Sequence, residues 1–115
     1  MSEKAYEIIE IAKKTGSIKK GTNEVTKAIE RGKAQFVAYA QDVSPKEIVM
    51  HLPILAKEKQ IPCIQVPSRE ELGVAAGLAV PAVAVVVIDA GDAKEHIKEF
   101  IKTAENEEKT SETNE

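Results

Sequence analysis

The run Ala82-Val83-Ala84-Val85-Val86-Val87-Ile88-Asp89 decides the architecture. It is rich in β-branched residues, bounded by Pro81 and Gly91, and short for a helix. Successive side chains on a strand point to opposite faces, and here both faces are apolar. Such a strand is buried on both sides, so it belongs mid-sheet with helices above and below.

Working outward, residues 35–40 (QFVAYA) read as a further buried strand, residues 61–66 (IPCIQV) as the next strand, and residues 17–20 as a short edge strand. Between them the apolar spacing changes to that of a helix. Ala5, Ile8, Ile9 and Ala12 predict a helix over 3–14, with Ser2 as N-cap and Gly16 as its end. Val25, Ala28 and Ile29 predict a second over 22–32, opened by Gly21 and stopped by Gly32. A third spans 45–59, started by Ser44 and Pro45, with Ile48, Val49, Leu52, Leu55 and Ala56 inward. Pro53 lies inside it, so it either kinks there or begins near His51. Ser68 caps a short helix over 69–76 running into Gly77. Ala93, Ile97, Phe100, Ile101 and Ala104 mark a last helix over 92–104. The fold class is therefore α/β: a three-layer α-β-α sandwich around a small mixed four-stranded sheet. Residues 1–104 form one domain, and residues 105–115, nearly devoid of apolar side chains, are expected to be a disordered acidic tail.

The totals narrow the function. The chain of 115 residues is 43% apolar and 30% charged, enough for one core under a well-solvated surface. Cys63 is the one cysteine, so no internal disulfide forms, consistent with a reducing cytoplasm. No signal peptide is expected, and the longest apolar stretch, 78–88, is too short to span a bilayer. The formal net charge of −3 hides an uneven distribution. Residues 105–115 carry a net −4, whereas residues 13–33 carry +5 through Lys13, Lys14, Lys19, Lys20, Lys27, Arg31 and Lys33 against Glu24 and Glu30. A basic patch of that density attracts a phosphate backbone even on an acidic chain; a solvated helix face has the same composition.

The segment 19–27 (KKGTNEVTK) carries the most chemistry. Gly21 permits a tight turn, and the helix after it offers free N–H groups and a positive dipole end. Asn23, Glu24 and Lys27 put an amide, a carboxylate and an ammonium on its first turns. That set can read a guanine edge: the carboxylate accepts from its N–H groups and the ammonium donates to O6 or N7. An ordinary cap by Thr22 or Asn23 accounts for the same residues. The loop 77–81 (GLAVP) would set Leu78 and Val80 beside these polar groups if it crosses the same sheet end; otherwise they are core. His51 and His96 lack partners at metal-ligand spacing, and Cys63 reads as a buried, inert thiol. Asp89 and Asp92 around Gly91 fit a turn and a helix cap. No catalytic constellation, cofactor motif or metal motif is present. Tyr6, Phe36, Tyr39 and Phe100 are mostly inward, which disfavours modules that stack bases on exposed rings.

Taken together, Gly21-Thr22-Asn23-Glu24-x-x-Lys27, Arg31-Gly32, His51-Leu52-Pro53, Ile61-Pro62, Ser68-Arg69-x-x-Leu72-Gly73 and Ala76-Gly77-x-x-x-Pro81 resemble the kink-turn-binding ribosomal protein family, most of all its archaeal large-subunit type. The resemblance spans about residues 3–104. It implies an RNA-binding scaffold without enzymatic activity or cofactor. Its targets would be kink-turns in ribosomal RNA, in C/D and H/ACA guide RNAs and in the RNA of ribonuclease P, which processes transfer RNA. Partners would be the large ribosomal subunit and, through the RNA, the methyltransferase and pseudouridine-synthase subunits of guide particles. The protein would be cytoplasmic and monomeric when free. Asn23, Glu24 and Lys27 would read the guanines of tandem G·A pairs. Lys19, Lys20 and Arg31 would face the backbone, Gly21 would let it approach, and Arg69 would sit near phosphate. Ile48, with Leu78, Ala79 and Val80, would line the pocket for an extruded nucleotide. The alternative from another class is a protein-interaction or small-ligand domain on the same sandwich.

Overall fold

A computed structural model describes residues 2–44 and 47–102. The elements run α1 (Ser2–Thr15), β1 (Ser17–Lys20), α2 (Thr22–Glu30), β2 (Phe36–Ala40), α3 (Glu47–Glu58), β3 (Cys63–Val66), α4 (Arg69–Ala75) and β4 (Ala84–Asp89). A 3-10 turn, Gly91–Ala93, leads into a fifth helix, α5, over 94–102. The expected helix start at Pro45, the inward Ala104 and the acidic tail 105–115 lie outside the described residues.

The sheet order is β1-β4-β2-β3. Strand β4 pairs antiparallel with β1 and with β2, while β2 pairs parallel with β3, so the sheet is mixed. The all-apolar run is thus an inner strand, and Val85, Val86 and Val87 have no exposed surface. Each buried valine contributes ~1.5–3 kcal/mol of transfer free energy. Helices α1 and α4 pack together against one face; α2 and α3 pack together against the other. Helix α5 returns along α1 through Lys4–Glu99 (3.9 Å) and Glu7–His96 (3.6 Å). Its Phe100 meets Phe36 edge to face, with ring centroids 5.2 Å apart.

Local chemistry explains most boundaries. Ser68 accepts a hydrogen bond from the Glu71 N–H (3.2 Å) and opens α4 as expected. Helix α2 closes when the N–H groups of Gly32 and Lys33 turn back to the carbonyls of Ile29 and Ala28. Gly91 N–H donates to Asp89 Oδ1 (3.0 Å) and Asp92 N–H to Thr15 Oγ1 (2.9 Å), so the two aspartates belong to a turn and a helix entry.

Four expectations are corrected. Ser2 is already helical rather than the cap of α1. Helix α3 runs from Glu47 and not from near His51, and continues past Pro53, although Pro53 leaves the Val49 carbonyl without its helical donor. Ile48, expected on the buried face of α3, is 40% exposed, and Leu55 is only half-buried. Strands β3 and β4 start later than their apolar runs. The Ala82 N–H is taken by the Arg69 carbonyl (3.0 Å) of α4 and not by the sheet.

Candidate nucleic-acid interface

The site forms where the N-terminal end of β4 meets the N-terminal tip of α2. Strand β1 is antiparallel to β4 with Lys20 opposite Val85, and the Gly21 N–H extends that ladder by donating to the Ala84 carbonyl (3.0 Å). One hydrogen bond thus ties the start of α2 to the residue where the 77–83 loop enters the sheet. Gly21 has φ +90°, a conformation that L side chains rarely adopt, so the turn requires glycine. It is also the N-cap, and no side chain caps the helix. Neither Thr22 nor Asn23 serves as the cap that the sequence alone would allow. Asn23, Glu24 and Lys27 are exposed, and so is Arg31 further along α2, while Val25, Ala28 and Ile29 hold the opposite face in the core. At 1.5 Å per residue, Arg31 stands ~12 Å along the helix from Asn23, so it serves a different part of any ligand.

The loop after α4 folds back along that helix. Leu78 N–H donates to the Gly73 carbonyl (2.9 Å) and Ala82 N–H to the Arg69 carbonyl (3.0 Å). Gly73 makes this possible, because a Cβ there would lie 2.3 Å from the Val80 carbonyl oxygen and 3.1 Å from Pro81 Cα. The result is a small apolar shelf: Leu78 half-buried, Ala79 exposed and Val80 55% exposed. Val80 is therefore a surface group rather than core, whereas Leu78 is half-buried and packs against the core while lining the surface. Arg69, the first residue of α4, donates its backbone N–H to Asp42 Oδ1 (3.0 Å).

A cleft of about 600 Å³ joins these parts, lined by Lys13, Lys19, Lys20, Glu24 and Leu78 among others. Lys19, Lys20, Glu24 and Leu78 are thereby brought together, and a smaller hollow continues past Ala79 and Val80. Ile48 stands apart on α3. That helix packs on α2, and His51, one turn after Ile48, lies 2.7 Å from Thr26 Oγ1. Thr26 donates its hydroxyl to the Thr22 carbonyl (2.7 Å), so His51 Nε2–H must be the donor to Thr26. Sequence reasoning missed this brace and missed Lys13 as a cleft residue. Lys13 had a signal in the basic run 13–33; the His51–Thr26 pair, 25 residues apart, had none.

Charge separates this cleft from another cavity of similar size. The groove between α1 and α4, about 620 Å³, is lined by Glu3, Glu7, Glu10, Glu70 and Glu71, a wall that repels phosphate. Among the described residues, none of Lys13, Lys19, Lys20, Lys27 and Arg31 is paired with a carboxylate. Their charges remain available to a ligand. Also among the described residues, no group of three or more His, Cys, Asp or Glu side chains is placed to hold a metal ion, and no helix is long and apolar enough to cross a membrane. Burial pushes the Cys63 thiol up to about 12, which makes it a poor nucleophile.

Comparison with known proteins identifies the fold and the family. A solved structure described as the Giardia lamblia 15.5kD RNA binding protein superposes with a TM-score of 0.85 at 30% identity, covering 91% of this chain and 88% of that one. The model of the ribosomal protein L7Ae/L30e/S12e/Gadd45 family matches residues 3–97, which include every element from α1 to β4 except the first residue of α1. With the match spanning the sheet, the glycine-opened helix tip and the folded-back loop, this chain belongs to the ribosomal protein L7Ae/L30e/S12e/Gadd45 family.

Proposed function

We propose that this protein binds RNA, and that its target is the kink-turn. The observation that carries the reading is the uncapped tip of α2, with Asn23, Glu24 and Lys27 exposed, tied at Gly21 to the strand that receives the apolar 77–81 loop. Polar readers and an apolar shelf at one sheet end suit a nucleic acid that offers base edges and an unstacked base together. A kink-turn does so. The major groove of a regular RNA duplex is too deep and narrow for side chains, and a sharp bend opens it at the tandem G·A pairs. Asn23, Glu24 and Lys27 read the guanines, Lys19, Lys20 and Arg31 take the backbone, and Leu78, Ala79, Val80 and Ile48 cover the extruded nucleotide. Gly21 lets the strand come close, and Arg69 meets phosphate beyond the loop. The RNA-binding relative and the family membership support the reading.

Binding the bent state more tightly than the straight one shifts the RNA toward the bend, and the bent RNA becomes a platform for later subunits. The role is therefore a scaffold and not an enzyme, in the cytoplasm, as a monomer when free. The RNAs served are ribosomal RNA, C/D and H/ACA guide RNAs and ribonuclease P RNA. Electrophoretic mobility shift tests this directly, with a kink-turn and with the same RNA carrying Watson–Crick pairs in place of its G·A pairs. Retardation of the first alone is expected; equal retardation of both would end the proposal.

A further inference from the structure

We infer that the cleft between the end of α1, β1 and the Leu78 loop receives a stretch of RNA phosphodiester backbone, and that Lys13 of α1 is the residue that holds it there. The inference rests on the RNA-binding reading above and extends its footprint to an element outside the α2 tip and the loop.

Three observations carry it. The cleft, about 600 Å³, is lined by three lysines, Lys13, Lys19 and Lys20, over an apolar floor that includes Ile18, Ala76 and Leu78. Lys13 comes from α1 and the other two from β1, so the charges enter from two elements of the fold rather than from one solvated helix face. The Lys13 side chain also runs directly across Gly77, where any Cβ would collide with its terminal carbons and ammonium nitrogen. Its ammonium group thereby lies at the foot of the loop that carries Leu78. Finally, Lys13 is exposed and unpaired among the described residues, so its charge is not already spent on a carboxylate. An ammonium group is a point charge with three donors and no base preference of its own, which suits phosphate oxygens. Glu24 on the rim of the same cleft keeps phosphate away from the base-reading tip and leaves the three-lysine end for the backbone.

The test is a salt titration of kink-turn affinity for the full chain and for Lys13→Ala, Lys13→Arg and Lys14→Ala. Lys14 is the exposed neighbour on the same helix, absent from the cleft lining, and controls for net charge. Loss of one phosphate contact lowers the slope of log K against log salt by about 0.9, a roughly 3.5-fold smaller fall in affinity between about 50 and 200 mM salt. Lys13→Ala is expected to show that loss, Lys13→Arg to restore the slope, and Lys14→Ala to keep it. Discrimination against the RNA without G·A pairs should stay intact in all three variants. A Lys13→Ala slope equal to that of the unaltered protein would overturn the inference, and so would equal losses in Lys13→Ala and Lys14→Ala. Failure of the unaltered protein to prefer the kink-turn would instead overturn the RNA reading on which it rests.

Discussion

Replacing Gly73 by alanine sets two opposed effects against each other. Gly73 lies within α4, where alanine is intrinsically the better helix former by ~1 kcal/mol, so propensity alone forecasts a more stable protein. The structure forecasts the reverse. The new methyl group would sit 2.3 Å from the Val80 carbonyl oxygen, 3.1 Å from Pro81 Cα and 3.2 Å from the Ala82 nitrogen. All three are backbone atoms, and relieving the shortest contact moves the loop by about 1 Å. Overpacking of this kind costs ~1–3 kcal/mol, and here it also strains the hydrogen bonds from Leu78 and Ala82 to α4. Set against the propensity gain, the clash leaves a net loss of up to ~2 kcal/mol, which lowers Tm by roughly 4–8 °C per kcal/mol in a domain of this size. Urea or thermal unfolding reads the stability, and titration with kink-turn RNA reads the shelf of Leu78 and Val80, which moves with the loop. A Gly73→Ala protein as stable as the original, with unchanged RNA affinity, would refute the argument that the loop is seated on bare helix backbone.

The other expectations are simpler. Glu24→Ala and Lys27→Ala should each weaken kink-turn binding by ~1–3 kcal/mol, roughly 5- to 150-fold, while far-UV circular dichroism stays unchanged; full affinity in both would remove their base contacts. Phe100→Ala removes the edge-to-face partner of fully buried Phe36 and should cost ~3–5 kcal/mol in urea unfolding; a loss under ~1 kcal/mol would show that α5 does not complete the core. For Cys63 the folded pKa, about 12, lies above the ordinary value of 9.0. Above pH 9 the unfolded chain releases the thiol proton while the folded chain keeps it, so this contribution to stability is full below pH 9 and is lost as pH rises toward 12. Comparing unfolding of Cys63→Ser and the unaltered protein across that window checks the sign, and parallel curves would show that the thiol is not protected.

The layered α/β fold was legible because its signals are local. An apolar run of β-branched residues at 82–89, changes between strand and helix periodicity, and Gly32, Ser68 and Gly77 at helix ends each act over a few residues. The amide, carboxylate and ammonium of the α2 tip were legible for the same reason, since Asn23, Glu24 and Lys27 share one helical turn and its neighbour. Tertiary structure decided everything that depends on residues far apart in sequence. It chose β4 as the neighbour of both β1 and β2, and so bonded Gly21 to Ala84 across 63 positions. It turned Val80 outward and left Leu78 half-buried by laying their loop on Gly73, and it left Ile48 exposed on a helix whose apolar pattern pointed it inward. It also drew Lys13 into the cleft and set His51 on Thr26. Periodicity specifies which face of an element is apolar, but the neighbour that covers each part of that face is set by packing, and packing is not written in any local pattern.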